Sequence, residues 1–209
     1  MLGGGFYAIL DTGYVPHNRL PDVYQALLRG GASIVQLRAK QESTTQRIQI
    51  LDTLISASPA NALPLVVNDD IDAALTFPGV GLHVGQDDLP VAQARERLGP
   101  ERILGLSTHS PEQAAGAIAQ ASILNYFAVG PVFATPTKPD YSPVGLKLVE
   151  YVSGLNAPLP WYAIGGIKQH NAKAVIAAGA QGLVAVTDVL LAEDPAAVVA
   201  SYVAQLAKI

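Results

Sequence analysis

The sequence predicts a single (β/α)8 barrel, and three observations carry that reading. Eight short apolar runs begin near Phe6, Ile34, Leu65, Leu82, Ile103, Tyr126, Trp161 and Leu183. Each is followed by a helix-compatible stretch rich in Ala, Leu, Gln or Glu, and strand alternating with helix throughout means parallel pairing. No domain-scale break in composition divides the 209 residues, so the expectation is one domain over 1-209. A doubly wound parallel sheet is the alternative arrangement of the same units.

In chain order, Gly3-Gly4-Gly5 reads as a flexible lead-in to the first strand, and Gly30-Gly31 closes the first helix. The second strand runs into Gln36-Leu37-Arg38-Ala39-Lys40. The third runs into Asn68-Asp69-Asp70, where Asp70 and Asp72 suit the cap of the next helix. The fourth ends His83-Val84-Gly85-Gln86-Asp87-Asp88, Gly99 closes its helix, and the fifth ends Ser107-Thr108-His109. Ser110-Pro111-Glu112 then offers an N-cap, a proline in the first turn and an early acid. The sixth strand leads to Thr135-Pro136-Thr137-Lys138-Pro139-Asp140, and the seventh ends at Gly165-Gly166. Gly179 closes another helix, Val186-Thr187 lies late in the eighth strand, and Asp194-Pro195 starts the last helix.

Composition excludes several function classes. With 50% hydrophobic and 14% charged residues the chain reads as compact and globular. A net charge of -4, with 13 Lys and Arg scattered along the chain, argues against a nucleic-acid partner. The absence of cysteine rules out disulfides, thiolate metal sites and cysteine nucleophiles. There is no signal-like opening and no run of 18 apolar residues, so the expectation is a cytoplasmic protein without a membrane partner. A homo-oligomer is compatible with the sequence.

The chemistry gathers where the apolar runs end, which in such barrels is the catalytic mouth. Alternation puts Gln36, Arg38 and Lys40 on one face, opposite Val35, Leu37 and Ala39. If helices cover the apolar face, the polar set makes a cationic recess whose guanidinium can fork onto phosphate oxygens; otherwise it is a polar edge strand facing water. Asp69 and Asp88 end neighbouring strands, and two close carboxylates invite a hard cation such as Mg²⁺ that keeps waters and shares substrate phosphates. The competing role for Asp87 and Asp88 is helix capping. Asn68 and Asp69 cannot share a face while the pleat continues.

Ser107 and His109 face the same way, but an i, i+2 pair without an orienting acid does not define a catalytic triad, and a polar lining residue beside a packed histidine serves equally. His17 and His170 are assigned no role, and with His83 they show no metal-ligand spacing. Thr135, Thr137 and Lys138 form a proline-stiffened loop shaped for phosphate, and Gly165-Gly166 with Val186-Thr187 offers a second phosphate region.

These motifs together resemble the thiamine phosphate synthase family, also called thiamine-phosphate pyrophosphorylase, from the first strand to the last helix. The motifs that match are Gln36-Leu37-Arg38-x-Lys40, Asn68-Asp69, His83-x-Gly85-Gln86-x-Asp88-Leu89-Pro90 and Gly105-x-Ser107-x-His109. Gly130-Pro131-Val132-Phe133-x-Thr135-x-Thr137-Lys138 and Ala163-Ile164-Gly165-Gly166-Ile167 complete the set. The resemblance implies a (β/α)8 barrel that joins a hydroxymethylpyrimidine diphosphate to a thiazole phosphate, releasing pyrophosphate. By position, it implies that Gln36, Arg38, Lys40, Asn68, Ser107 and Lys138 hold the pyrimidine diphosphate. It further implies Mg²⁺ on Asp69 and Asp88, and the thiazole phosphate on Thr135, Thr137, Gly166, Val186 and Thr187. Arg38, Lys40, Ser107 and Lys138 are then the catalytic group, with leaving-group electrostatics carrying the rate and Ser107 positioning the substrate.

Two departures stand out. Thr187-Asp188 replaces a serine followed by a small apolar residue, and a carboxylate beside a phosphate repels unless it points away. Leu10 stands where a threonine is frequent. Three rival readings share the mouth: a thiazole tautomerase-like barrel using His109 for proton transfer, a non-catalytic thiazole phosphate-binding regulator, and a phosphosugar isomerase or lyase. Tautomerase-like proteins tend to lack the Arg-x-Lys, paired aspartate and Thr-x-Thr-Lys elements. A silent barrel has no use for so many converging charges. An isomerase or lyase leaves the aspartate pair and Thr135 to Lys138 without a role.

Overall fold

The computed structural model describes residues 3–58, 64–137 and 142–208. The first half runs β1 (Gly5–Asp11), α1 (Leu20–Arg29), β2 (Ile34–Arg38), α2 (Thr44–Ser56), β3 (Leu65–Asn68), α3 (Ile71–Thr76), β4 (Val80–Val84) and α4 (Val91–Leu98). The second half runs β5 (Leu104–Thr108), α5 (Pro111–Ala119), β6 (Tyr126–Val129), α6 (Gly145–Gly154), β7 (Trp161–Ile164), α7 (Ala172–Ala177) and β8 (Gly182–Ala185). A short α8 (Thr187–Leu190) and α9 (Pro195–Leu206) follow. All pairing is parallel and in chain order, and β8 returns to β1, so the sheet closes as a barrel and the doubly wound alternative falls.

Period-two alternation sorts the strands into two cores. Phe6, Ala8 and Leu10 of β1, with Val35 and Leu37 of β2, face the helices and join the large outer core. Leu10 is therefore a packing residue in that layer. Tyr7, Ile9, Ile34, Val66, Tyr126, Tyr162 and Val184 form a separate cluster inside the barrel. Three of these, Tyr7, Tyr126 and Tyr162, meet edge to face with ring centroids 5.3 to 5.6 Å apart. They plug the barrel the way inward layers of side chains fill this architecture.

Caps place the helices where the sequence leads one to expect. Ser110 and Asp194 accept from the backbone N–H groups of Gln113 and Ala197, each with proline in the first turn. Asp70 caps α3 by accepting from Ala73 N–H. Gly31, Gly99 and Gly179 take positive φ just past α1, α4 and α7, where glycine costs least. The glycine lead-in is more ordered than expected: the Gly3 carbonyl accepts from the Tyr162 hydroxyl at 2.8 Å, and Gly5 already belongs to β1.

Gly105 is where the tyrosine plug meets the sheet. It pairs with Tyr126 across β5 and β6, and a Cβ there would sit 2.1 Å from Tyr126 Cζ. Gly105→Ala is therefore expected to displace the Tyr126 ring and cost about 1–3 kcal/mol. In a thermal melt that is a drop of roughly 2–4 °C per kcal/mol, and an unchanged midpoint would show that the plug is looser than its contacts imply.

Candidate active site

A cavity opens at the C-terminal ends of the strands. Its walls bring together Gln36 and Arg38 from β2, Asn68 from β3 and Ser107 from β5. On the far side of the barrel they bring Thr135, Thr137, Gly166, Val186 and Thr187. The polar strand ends thus converge on one mouth, and the reading of β2 as an edge strand falls because β2 is paired on both sides.

Arg38 is held by a partner the sequence reading did not single out. Register places Asp11 of β1 directly beside Arg38, and parallel neighbours share a face, so both point inward. Asp11 Oδ2 accepts from Arg38 Nη1 at 2.5 Å, with Asp11 almost wholly buried, and its Oδ1 accepts from Gly13 N–H at 2.9 Å. The signal was available: Tyr7, Ile9 and Asp11 keep the same period-two parity. One anchored nitrogen leaves the rest of the guanidinium fork for a ligand.

Lys40 departs from the expectation that it shares the inward face with Gln36 and Arg38. The strand stops at Arg38, and Lys40 stands exposed on the following loop with its ammonium on Asp69. Asp88 departs likewise. It lies four residues beyond β4 and accepts from Gly85 N–H at 2.8 Å, and α4 is capped by Pro90 without help from Asp87 or Asp88.

The backbone at Asp69 breaks the pleat of β3. Its φ is +62°, and Asp70 N–H donates to the Asn68 carbonyl at 2.8 Å, closing a tight three-residue turn. This solves the problem of two adjacent residues reaching one side: Asn68 follows the pleat and Asp69 breaks it. The carboxylate accepts from Asn68 Nδ2 at 2.5 Å and from Lys40, and it lies against Asp88. Asp88 is pushed above the usual carboxylate range, first by desolvation and then by Asp69, while Gly85 N–H and Lys40 pull it down.

Among the described residues no group of three His, Cys, Asp or Glu side chains could hold a metal. The donor set is this aspartate pair. Two mutually repelling carboxylates on the loops after β3 and β4 fit a hard cation that completes its shell with water and ligand oxygens.

On the opposite wall, Val186-Thr187 does not continue the strand. β8 ends at Ala185, and Thr187 opens α8. Asp188 therefore points away for a reason other than strand alternation: its Oδ2 accepts from the Tyr202 hydroxyl at 2.7 Å and from Gln169 N–H at 3.1 Å. Gly165 and Gly166 have φ of +104° and +62°, and a Cβ on Gly166 would sit 2.6 Å from the Ala134 carbonyl. Val132 and Phe133 N–H groups donate to the Ile164 and Gly165 carbonyls, so the threonine loop is stitched to this glycine turn. Tyr14, another residue the sequence reading passed over, shares a 3.3 Å hydrogen bond with Thr137.

Ser107 is hydrogen-bonded to His83 Nε2 at 2.9 Å. His109 lines the cavity and donates through Nδ1 to the Gly130 carbonyl at 2.5 Å. Lys138 lies outside the described residues.

Fold and mouth define a class: a (β/α)8 barrel presenting a guanidinium, amides, hydroxyls and a rim carboxylate pair to one cavity. A family model described as "Thiamine monophosphate synthase" matches residues 6–189. A "Thiamine-phosphate synthase" of Acidothermus cellulolyticus is 40% identical, covering 90% of this chain and 88% of its own. One from Roseiflexus sp. is 41% identical, with coverage of 93% and 82%. The structure of a thiamine phosphate pyrophosphorylase from Pyrococcus furiosus superposes with a TM-score of 0.85 at 28% identity, covering 98% of this chain and 96% of that one. The chain belongs to the thiamine monophosphate synthase family.

Removing the Asp11 carboxylate leaves Arg38 partly buried without its partner. Asp11→Ala is expected to lower unfolding free energy by about 3 kcal/mol in urea titration. A midpoint within error of wild type would mean that Arg38 is held by other contacts.

Proposed function

We propose that this transferase joins 4-amino-2-methyl-5-(diphosphooxymethyl)pyrimidine to a thiazole phosphate, including its carboxylated form. The products are thiamine phosphate and pyrophosphate. Membership of the family supports the reaction class. The observation that carries the residue-level reading is the division of the cavity. Gln36, Arg38, Asn68 and Ser107 stand on β2, β3 and β5, and Thr135, Thr137, Gly166, Val186 and Thr187 stand after β6, β7 and β8.

In this reading Arg38, Lys40 and Lys138 hold the diphosphate, and Gln36, Asn68 and Ser107 orient the pyrimidine ring. Asp69 and Asp88 would hold Mg²⁺, which when bound supplies positive charge against the departing pyrophosphate. The electron-rich aminopyrimidine stabilises a cation at its exocyclic carbon, so departure of pyrophosphate precedes attack by the thiazole nitrogen. No protein nucleophile is required. Thr135, Thr137, Gly166, Val186 and Thr187 fix the thiazole phosphate so that its ring nitrogen lies near that carbon, turning a bimolecular encounter into a positioned one. Ser107, tied to His83, acts as a positioning group.

Pyrophosphate release is expected only when both heterocycles are present, is abolished by a chelator and returns with Mg²⁺. Release without the thiazole, or none with both, would defeat the reading. Asp88→Ala and Lys138→Ala are each expected to cut turnover roughly a hundredfold or more with circular dichroism unchanged. Near-normal turnover in either would remove that residue from the site.

A further inference from the structure

At the floor of the cavity, five side chains from five strands form one continuous hydrogen-bonded chain. Gln36 Nε2 meets the Tyr7 hydroxyl at 2.6 Å, and the hydroxyls of Tyr7 and Tyr126 meet at 2.9 Å. The Tyr126 hydroxyl meets His83 Nδ1 at 2.9 Å, and His83 Nε2 meets Ser107 Oγ at 2.9 Å. None of the five is more than 9% exposed, so water does not scramble the bonds. Gln36 and Ser107 line the cavity, as do Tyr7 and His83 between them, whereas Tyr126 is set back from it.

We propose that this chain is a polarity relay: Gln36 sets its direction, His83 is locked as the Nε2–H tautomer, and Ser107 is thereby made a hydrogen-bond donor toward the ligand. The direction follows from counting protons. An amide nitrogen only donates, so the Tyr7 oxygen accepts and its one proton passes to Tyr126. Tyr126, having accepted, donates to His83 Nδ1. A neutral imidazole with a bare Nδ1 carries its proton on Nε2, which donates to Ser107 Oγ. Ser107 then turns its own proton to the cavity, while Gln36, with its nitrogen committed, keeps its carbonyl as an acceptor. Burial pushes both phenols above their ordinary range, so they remain protonated donors.

The consequence is specificity within the proposed function, on which this inference rests. A donor at Ser107 suits a bare ring nitrogen, and an acceptor at Gln36 suits an exocyclic amine. A 4-oxo pyrimidine, with a protonated ring nitrogen and a carbonyl, offers the reverse pattern and would leave buried polar groups unpaired. Tyr126 is a positioning residue, because it is set back from the cavity and acts through His83 and Ser107.

The direct test is the tautomer, read by two-bond nitrogen–proton NMR on ¹⁵N-histidine protein without substrate. The expected spectrum shows His83 with its proton on Nε2. A proton on Nδ1, or on both nitrogens, overturns the relay. Tyr126→Phe, which keeps the ring and deletes the link, is expected to mix the tautomers. It should also raise KM for the aminopyrimidine diphosphate roughly tenfold, the equivalent of one hydrogen bond of ~1.4 kcal/mol, without moving KM for the thiazole phosphate. Its preference for the 4-amino over the 4-oxo diphosphate should narrow. A variant that lowers kcat alone with that preference intact overturns the positioning role.

If Tyr126→Phe folds poorly, His83→Gln and His83→Leu serve instead. The glutamine nitrogen can still donate to Ser107 and should retain the preference that leucine loses; equal behaviour of the two overturns the proposal. Since the tautomer is read without ligand, failure to use any pyrimidine diphosphate overturns the functional reading, whereas a bare His83 Nε2 overturns the relay itself.

Discussion

The mouth of this barrel depends on what fills the space below it. Tyr7, Tyr126 and Tyr162 pack edge to face in the interior, a geometry that aromatic quadrupoles favour. A purely aliphatic plug would seal the barrel as well but would present nothing polar above. Phenols seal with the ring and still deliver hydroxyls: Tyr162 toward the glycines at the bottom, Tyr7 and Tyr126 toward Gln36 and His83 in the cavity wall. The hydrophobic core and the polar site are thus built from the same side chains.

Above that floor the mouth is organised by neighbours in register. Asp11 beside Arg38 and Asn68 beside His83 are pairs set by parallel alignment, so closure of the barrel dictates which groups meet. The rim is organised differently. Lys40, Asp69 and Asp88 stand on loops, where their mutual charges and a few backbone N–H groups hold them. Such a rim can rearrange around a cation and a departing anion more readily than the strands can. The threonine loop is intermediate, because its first residues are stitched to the end of β7.

Most of the architecture was legible because its signals are local and redundant. The apolar runs locate the start of every strand to within two residues, and the Ser110, Asp70 and Asp194 caps act where their spacing says they should. The convergence of Gln36, Arg38, Asn68 and Ser107 followed from topology once the barrel was inferred. What stayed hidden depended on single backbone choices or on distant partners. The ending of β2 at Arg38 moves Lys40 to the rim, and the ending of β8 at Ala185 turns Asp188 toward Tyr202 on α9. No periodicity records either event. The buried tyrosines read as ordinary core residues within apolar runs, because the bonds that distinguish them join strands far apart in sequence, as between Tyr7 and Tyr126.

The left-handed turn at Asp69 bears on how this position could change over evolutionary time. Asp and Asn tolerate positive φ far better than longer or branched residues do, since their short side chains bond to nearby backbone. A glutamate would keep the charge but would meet the backbone penalty and would also overshoot Lys40 and Asp88. Of the acidic amino acids only one suits both the electrostatics and the backbone here. A lineage exploring alternatives would find asparagine or glycine conformationally open and electrostatically deficient. The conformation of one residue therefore narrows the sequence space of the rim as firmly as the ligand does.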